Sequence, residues 1–292
     1  MKNQTALTWL ISPIFVLSLF VTSMGLFYQD PGQTYPFTSI RGEKVTINGQ
    51  GLYRYDTVSS AAQMQGNDLI TLVVGLPLLV ISTWLAFRGS LRGRLLLTGT
   101  LGFFLYTYMS MSMLAAFNTL FLIYVILFGM SLYAFILSML SFDLMDLPTH
   151  FLESLPRKWL AGFMFVTGGF LTIAWLARII QPLLQNTPPS LENTTTMVIQ
   201  AMDLALIVPL AVLSGILLLR SSAWGYLLSS VFILKAITLG LGVSAMGINM
   251  TLQGVPDGLA FLVPFLMLTI INLVMAVTLL KSIDNGSTSP VR

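Results

Sequence analysis

Long uninterrupted apolar runs alternate with short polar segments along the whole chain. A helix rises about 1.5 Å per residue, so about 20 apolar residues cross the hydrocarbon core of a bilayer. The pattern therefore predicts an all-α membrane protein, an eight-helix transmembrane bundle that forms a single domain over residues 1–292. The predicted spans are residues 7–28, 69–87, 95–117, 120–141, 159–180, 196–219, 225–248 and 260–280.

Two of these boundaries involve a choice. The first run follows Lys2 and could be a signal peptide, but it is too long for a typical signal core and lacks a small-residue cleavage motif. We therefore interpret it as an uncleaved span. Residues 95–141 would extend about 70 Å as one helix, so we predict two spans joined by a tight break at Asn118 and Thr119.

The longest polar segment, residues 29–68, lies between the first two predicted spans. It contains Asn48-Gly49 between two stretches rich in β-forming residues, 38–47 and 51–58. Asn-Gly in this context is a strong hairpin signal. We predict a small external β-hairpin between helices 1 and 2, which serves either as a packed lid without a ligand or as a substrate- or partner-recognition element.

Composition narrows the class of protein. Hydrophobic residues make up 55% of the chain and charged residues 9%, with a mean hydropathy of +0.85. A soluble domain carries about 25% charged residues, so most of this surface must face lipid. The chain has no cysteine, which excludes disulfides, thiolate metal sites and cysteine nucleophiles. It also has no basic run of the kind that binds nucleic acid.

The distribution of basic residues predicts the orientation. With eight spans, one face carries Lys2, Arg88, Arg92, Arg94, Arg157, Lys158, Arg220, Lys281 and Arg292. The opposite face carries Arg41, Lys44, Arg54 and Arg178. Basic residues concentrate on the cytoplasmic side of membrane proteins. We therefore predict that both termini lie in the cytoplasm.

Lys235 is the main candidate for function, because it lies near the middle of the seventh predicted span with no charge close to it in sequence. An ionisable residue at this depth is costly and marks a functional hypothesis by default. Helical rise places Asn272, Tyr106 and Tyr133 at the same depth. We predict a ligand-binding polar cluster of these four residues, which opens toward Arg178, Asp203 and Asp68.

Arg178 and Asp203 match each other in depth better than Asp203 matches Lys235, so we expect them to be neighbours at the external boundary, together with Asp68. Three roles remain open for Lys235: a structural lysine in a loosened helix, a ligand- or ion-binding group, and a catalytic group. We find no phosphate loop, zinc motif or nucleophile elbow. No cofactor and no metal site are predicted.

Two further features bear on function. Residues 142–158 mix apolar and acidic residues and predict a connector along the cytoplasmic membrane surface, where the lone His150 is solvated rather than a metal ligand. The two halves of the chain do not align by their prolines, glycines or charges. No convincing internal repeat is therefore found, which weakens an inverted-repeat transporter without excluding it.

Several segments of the first half together resemble a family of bacterial multi-pass membrane proteins without an assigned activity. They are residues 37–45 (FTSIRGEKV), 51–56 (GLYRYD), 65–72 (QGNDLITL), 88–93 (RGSLRG) and 116–124 (AFNTLFLIY). The resemblance implies the bacterial plasma membrane and lends no functional residues. The function that we favour is a small-molecule or ion transporter or binding protein. The alternative is a membrane sensor or scaffold that acts through the external hairpin, and an enzyme is the weakest hypothesis.

Overall fold

The computed structural model describes residues 3–256 and 258–284, except for the side chain of residue 261. The described residues are mostly helical and contain seven helices long and apolar enough to cross a membrane. These are α1 (Gln4–Phe27), α2 (Val58–Phe87), α4 (Phe121–Met139), α5 (Arg157–Leu184), α6 (Val198–Leu219), α7 (Ala223–Leu252) and α8 (Gly258–Lys281). A further long helix, α3 (Leu91–Leu114), lies between α2 and α4 in the chain.

Helix α3 differs from the others because it lies inside the bundle. It packs against α2, α4 and α7, and most of its residues are buried. The other helices expose large apolar side chains such as Trp9, Leu122 and Ile173, each more than two-thirds accessible. A helix whose inward-facing and outward-facing sides are both apolar is typical of a membrane protein, in which lipid covers the outer side.

Helices α2 and α6 each contain a wide π-helical turn, over Thr71–Gly75 and Asp203–Ile207. A proline follows each turn, at Pro77 and Pro209. Proline has no N–H and its ring clashes with the carbonyl four residues earlier, so the preceding turn widens to relieve the strain. Helix α2 also begins at Val58, well before the predicted start of the second span at residue 69.

Buried apolar residues form two clusters that follow the order of the chain. One contains residues from Leu7 to Ala134 and fills the space between α1, α2, α3 and α4. The other contains residues from Phe142 to Ile283 and also includes Leu91, Leu95 and Tyr106 of α3. The bundle therefore has two cores, and α3 contributes to both.

The predicted β-hairpin is present, but its turn is not at Asn48-Gly49. Strand β1 (Tyr35–Thr38) pairs antiparallel with β2 (Lys44–Ile47) across a tight turn that contains Gly42 at φ 81°. Asn48 and Gly49 follow β2 instead, where their N–H groups donate to the carbonyls of Asp56 and Arg54. The Asn-Gly prediction was wrong because these residues begin a second, wider loop that packs Leu52 and Tyr53 into the core.

One end of the bundle gathers the basic residues that the charge pattern assigned to a single face. Arg92 donates to the carbonyl of Ile283, Arg94 donates to the carbonyl of Ser141, and Arg157 contacts Ser221. We call this the basic end, and the opposite end, which carries β1 and β2, the hairpin end. Lys2 and Arg292 lie outside the described residues.

The connector between α4 and α5 lies at the basic end. It is held by main-chain bonds to the C-terminal segment, because Leu152 donates to Ser282 and Asp284 donates to His150. His150 itself is partly exposed and lies 3.7 Å from the Asp146 carboxylate. The described residues contain no group of three or more His, Cys, Asp or Glu side chains that could hold a metal ion.

Candidate functional site

A single elongated cavity contains most of the candidate residues. It is lined by residues of α2, α3, α5, α6, α7 and α8, and its volume is about 170 Å³. Along α7 it extends from Phe232 to Met250, a rise of roughly 27 Å. It therefore begins close to the middle of the bundle and ends beside Ser60, next to the hairpin loop.

Lys235 lies at the inner end of this cavity. The residue is 5% exposed, and its Nζ atom has no hydrogen-bond partner among the residues that the structure describes. Nζ lies 4.1 Å from the centre of the Tyr106 ring, within the range of a cation–π contact. A ring face stabilises a cation but leaves the N–H groups of the amine unused, so Lys235 retains the capacity to donate hydrogen bonds.

Asp203 contacts the hydroxyl of the same tyrosine. The Tyr106 hydroxyl donates to one carboxylate oxygen at 2.7 Å, and the Trp175 indole N–H donates to the other at 2.9 Å. Lys235, Tyr106 and Asp203 therefore form one continuous polar group, in which the phenol contacts both charged side chains. The wide turn of α6 begins at Asp203, and such turns often occur at functional sites.

Asn272 completes the inner end. Its amide Nδ2 donates to the carbonyl of Ile233 at 3.0 Å, while its buried Oδ1 accepts no hydrogen bond from the described part of the chain. The carbonyl of Ile233 precedes Lys235 by two residues on α7, so this bond ties α8 to the segment that carries the lysine. A buried donor on Lys235 and a buried acceptor on Asn272 therefore line the same space.

The prediction that Tyr133 belongs to the cluster around Lys235 was wrong, because Tyr133 is 62% exposed on the outer face of α4. The predicted pairing of Arg178 with Asp203 is also wrong, because Asp203 accepts from Tyr106 and Trp175 while Arg178 is exposed on α5. Asp68 belongs to a separate buried cluster, where the Tyr53 hydroxyl donates to it at 2.5 Å. The neighbouring Asn67 lines the cavity instead.

Sequence analysis missed Trp175 and the apolar walls of the cavity. The walls of the cavity outside its polar inner end are apolar and include Phe163, Leu171, Ile207, Leu239 and Phe265. Trp175 lies one turn before Arg178, and an indole N–H inside a span is a polar group that requires an acceptor. That requirement was a usable signal for a contact between Trp175 and an acidic residue.

The hairpin loop is fixed to the loop between α5 and α6. Glu43 accepts hydrogen bonds from the Ser190 hydroxyl at 2.5 Å and from the N–H groups of Leu191 and Glu192 at 3.1 and 3.0 Å. Burial would raise the pKa of Glu43, but these bonds and the charge of Arg41 lower the pKa below its ordinary value. We call this contact the Glu43 latch, and it lies at the hairpin end of the bundle.

Comparison with known proteins adds no assignment to this site. The chain matches no protein-family model, no curated protein and no solved structure. The geometry described above is therefore the basis of the functional argument.

Proposed function

We propose that this chain is a transporter or binding protein of the bacterial plasma membrane, which takes up a small molecule in the cavity that ends at Lys235. In this proposal the bundle crosses the membrane eight times, α3 included. The basic end and both termini face the cytoplasm, and the hairpin end faces outward, as the distribution of basic residues favours.

The observation that carries the proposal is the pair of unsatisfied groups at the inner end of the cavity. Leaving a buried polar group without a partner costs about 1–3 kcal/mol, and both Lys235 Nζ and Asn272 Oδ1 are in that position. Ligand pockets combine apolar walls with a few convergent polar groups. A small apolar molecule with one polar head group, able to accept from Lys235 and to donate to Asn272, fits this arrangement.

A second candidate function is sensing or docking through the hairpin. The observation in its favour is the exposure of apolar side chains there, with Ile40 93% exposed at the turn and Tyr35 and Phe37 each 43% exposed on β1. Apolar residues exposed at the end of a lid are typical of a contact surface. We rank this function second because it leaves the cavity and its unsatisfied groups without a role.

The test compares wild type with Lys235→Met in proteoliposomes. The panel consists of labelled medium-chain and aromatic amphiphiles that carry a carboxylic acid, an amide or a hydroxyl. We expect saturable uptake of at least one class by wild type and a loss of at least about tenfold in Lys235→Met, since a hydrogen bond to a charged group contributes roughly 1.5–3 kcal/mol. Removing a buried amine should leave thermal stability equal or higher.

Lys281→Met is the matched control, because Lys281 is an exposed lysine at the end of α8 and should leave uptake unchanged. Full uptake by Lys235→Met would exclude the cavity as the transport site. Absence of saturable uptake for every class by wild type would contradict the transport function.

A further inference from the structure

Two segments of the chain repeat the same backbone structure at a spacing of 132 residues. The π-helical turn Thr71–Gly75 corresponds to Asp203–Ile207. The α-helical segment Leu76–Phe87, which follows the first turn, corresponds to Val208–Leu219, which follows the second. The next helices, α3 and α7, begin at Leu91 and Ala223, again 132 residues apart. Every helix boundary from residue 71 to residue 91 therefore recurs from residue 203 to residue 223.

The hydrogen bonds of the turn between these helices repeat as well. Arg88 donates to Trp84 and Arg220 donates to Ile216, each through its backbone N–H. Three further backbone N–H donors bond at the same spacing in both copies. In the first copy Gly89 donates to Ala86, Ser90 to Leu85 and Arg94 to Ser90. In the second copy Ser221 donates to Leu218, Ser222 to Leu217 and Tyr226 to Ser222. Gly89 and Ser221 both adopt positive φ, at 87° and 55°.

The side chains support the match. Nine positions are identical over residues 71–94 and 203–226: Leu72 and Leu204, Pro77 and Pro209, Leu78 and Leu210, Val80 and Val212, Ser82 and Ser214, Leu85 and Leu217, Arg88 and Arg220, Ser90 and Ser222, and Gly93 and Gly225. The paired serines Ser82 and Ser214 are both fully buried. The glycine pair contacts the preceding helix eight residues earlier in both copies.

The order and contacts of the remaining helices follow the same plan. In each half the first helix contacts the second and the fourth, and the third contacts the second and the fourth. The two core clusters divide the chain in the same way. Each half contains four helices, an even number, so both halves would enter the membrane from the same side, as in parallel-repeat transporters.

The contacts between the halves are reciprocal. Helix α3 packs against α7, its counterpart, with Gly99 against Leu234. Helix α2 contacts α7, and the first segment of α6, Val198–Met202, contacts α3. When surface i contacts j and j contacts i, the two units are related by a two-fold axis. That axis lies between α3 and α7.

The cavity lies on this join. Counterpart positions line it from both halves: Thr107 and Leu239, Met111 and Val243, Leu114 and Met246. The chemistry is not repeated, because the counterparts of Lys235 and Asp203 are Phe103 and Thr71. The duplication thus creates one polar site between the halves rather than one in each.

We infer that residues 4–139 and 157–281 are two copies of one four-helix unit, and that the cavity between them is exposed alternately at the hairpin end and at the basic end when one unit moves against the other. The second part rests on the proposed function. Bonds join the two halves at both ends: the Glu43 latch at the hairpin end, and at the basic end two hydrogen bonds from Arg92 to the carbonyl of Ile283, two residues after the second unit.

The test uses single cysteines, since the chain has none of its own. Leu239→Cys reports on the cavity, and Leu95→Cys reports on the buried join toward the basic end. Labelling rates with a membrane-impermeant maleimide are measured from each side of oriented vesicles. Each cysteine is combined with Glu43→Gln, with Arg92→Gln, or with the control Lys44→Gln beside the latch.

Weakening one end should favour the state that is open there. We expect Glu43→Gln to raise labelling of Leu239→Cys from the hairpin end and to lower labelling of Leu95→Cys from the basic end, each by about threefold or more. Arg92→Gln should produce the opposite pair of changes, and Lys44→Gln neither. These opposed changes in a single variant are not expected from a loosened lid.

If Leu95→Cys never reacts from the basic end, alternating exposure is overturned, even where uptake still depends on Lys235. If the reciprocal changes occur but Lys235→Met keeps full uptake, the proposed site fails while the movement stands. An experimental structure in which the transformation of residues 71–94 onto 203–226 does not also carry α1 onto α5 and α4 onto α8 would overturn the duplication.

Discussion

At the residue scale, the depth of a residue along its span was predictable and its direction was not. Lys235, Asn272 and Tyr106 lie together as predicted from helical rise, because their helices α7, α8 and α3 also turn these side chains inward. Tyr133 has a suitable depth but faces outward. Direction depends on which neighbours surround a helix, and a span that is apolar on all sides gives no such signal.

Asp203 illustrates the same difficulty with charges. Equal depth suggested an ion pair with Arg178, yet the carboxylate is held by a phenol and an indole. An arginine near a helix end reaches water easily, whereas a buried carboxylate requires donors close by. Uncharged donors such as Tyr106 and Trp175 do not stand out in a sequence in which aromatic residues make up 11%.

Asp56, in the loop just before α2, gives a testable pH dependence. Burial raises its pKa from 3.8 to about 6, because hydrogen bonds from Ala116 and Ser60 offset only part of the desolvation. Between these two values the folded protein holds a proton that the unfolded chain releases. Stability from this group is therefore largest below the ordinary pKa and is lost as pH rises through about 6, by up to about 3 kcal/mol.

The measurement is the melting temperature of the detergent-purified protein between pH 4 and pH 8, compared with Asp56→Asn at each pH. Such a comparison cancels groups that titrate in both proteins, such as Glu43. We expect the difference between the two proteins to change across the predicted window in favour of Asp56→Asn as pH rises. A difference that stays constant with pH would show that Asp56 is not buried as described.

At the element scale, the helices were more predictable than the loops. Long apolar runs require helices because main-chain groups in lipid must bond within their own segment. A β-hairpin is present as predicted, but its turn contains Gly42, whereas the sequence predicted a turn at Asn48-Gly49. Both segments contain a glycine at positive φ, and the choice between them is made by packing of Leu52 and Tyr53, which local sequence does not reveal.

Gly93 and Gly225 should respond alike to substitution, because each lies in the first turn of a helix that closely approaches the preceding one. A Cβ at Gly93 would lie 2.5 Å from Leu85 Cβ, and one at Gly225 would lie 2.3 Å from the carbonyl carbon of Leu217. Neither neighbour is a flexible chain end. We expect Gly93→Ala and Gly225→Ala each to lower stability by about 1–3 kcal/mol through overpacking.

Gly129→Ala and Gly169→Ala are the matched controls, since a Cβ at either helical position meets nothing within 4 Å. They should leave thermal stability unchanged or raise it by up to about 1 kcal/mol through helix propensity. Thermal melting of the four variants in the same detergent is the measurement. Equal behaviour of all four would contradict the close helix approach in both halves.

At the scale of the whole molecule, the charge pattern predicted which helix ends lie together. Arg92, Arg94 and Arg157 lie at the same end of the bundle, where they contact Ile283, Ser141 and Ser221. The prediction that the two halves do not align by their prolines, glycines or charges was wrong, because Pro77 and Pro209, Arg88 and Arg220, and Gly93 and Gly225 coincide at one spacing. The remaining markers of the repeat are structural. The positions of Gly89 and Ser221 share a positive φ but not a residue type, and the two wide turns have different sequences before their prolines.

The measurement that tests the account most directly is labelling of Lys235→Cys with a membrane-impermeant, charged thiol reagent added at the hairpin end in intact vesicles. Ile40→Cys, at the exposed hairpin turn, is the positive control. Tyr133→Cys is the negative control, because its exposed side chain should face lipid rather than water. We predict that Ile40→Cys and Lys235→Cys react, the latter more slowly, and that Tyr133→Cys does not. An unreactive Lys235→Cys, or a Tyr133→Cys that reacts as fast as Ile40→Cys, would contradict the proposed access to Lys235 from the hairpin end inside a lipid-covered bundle.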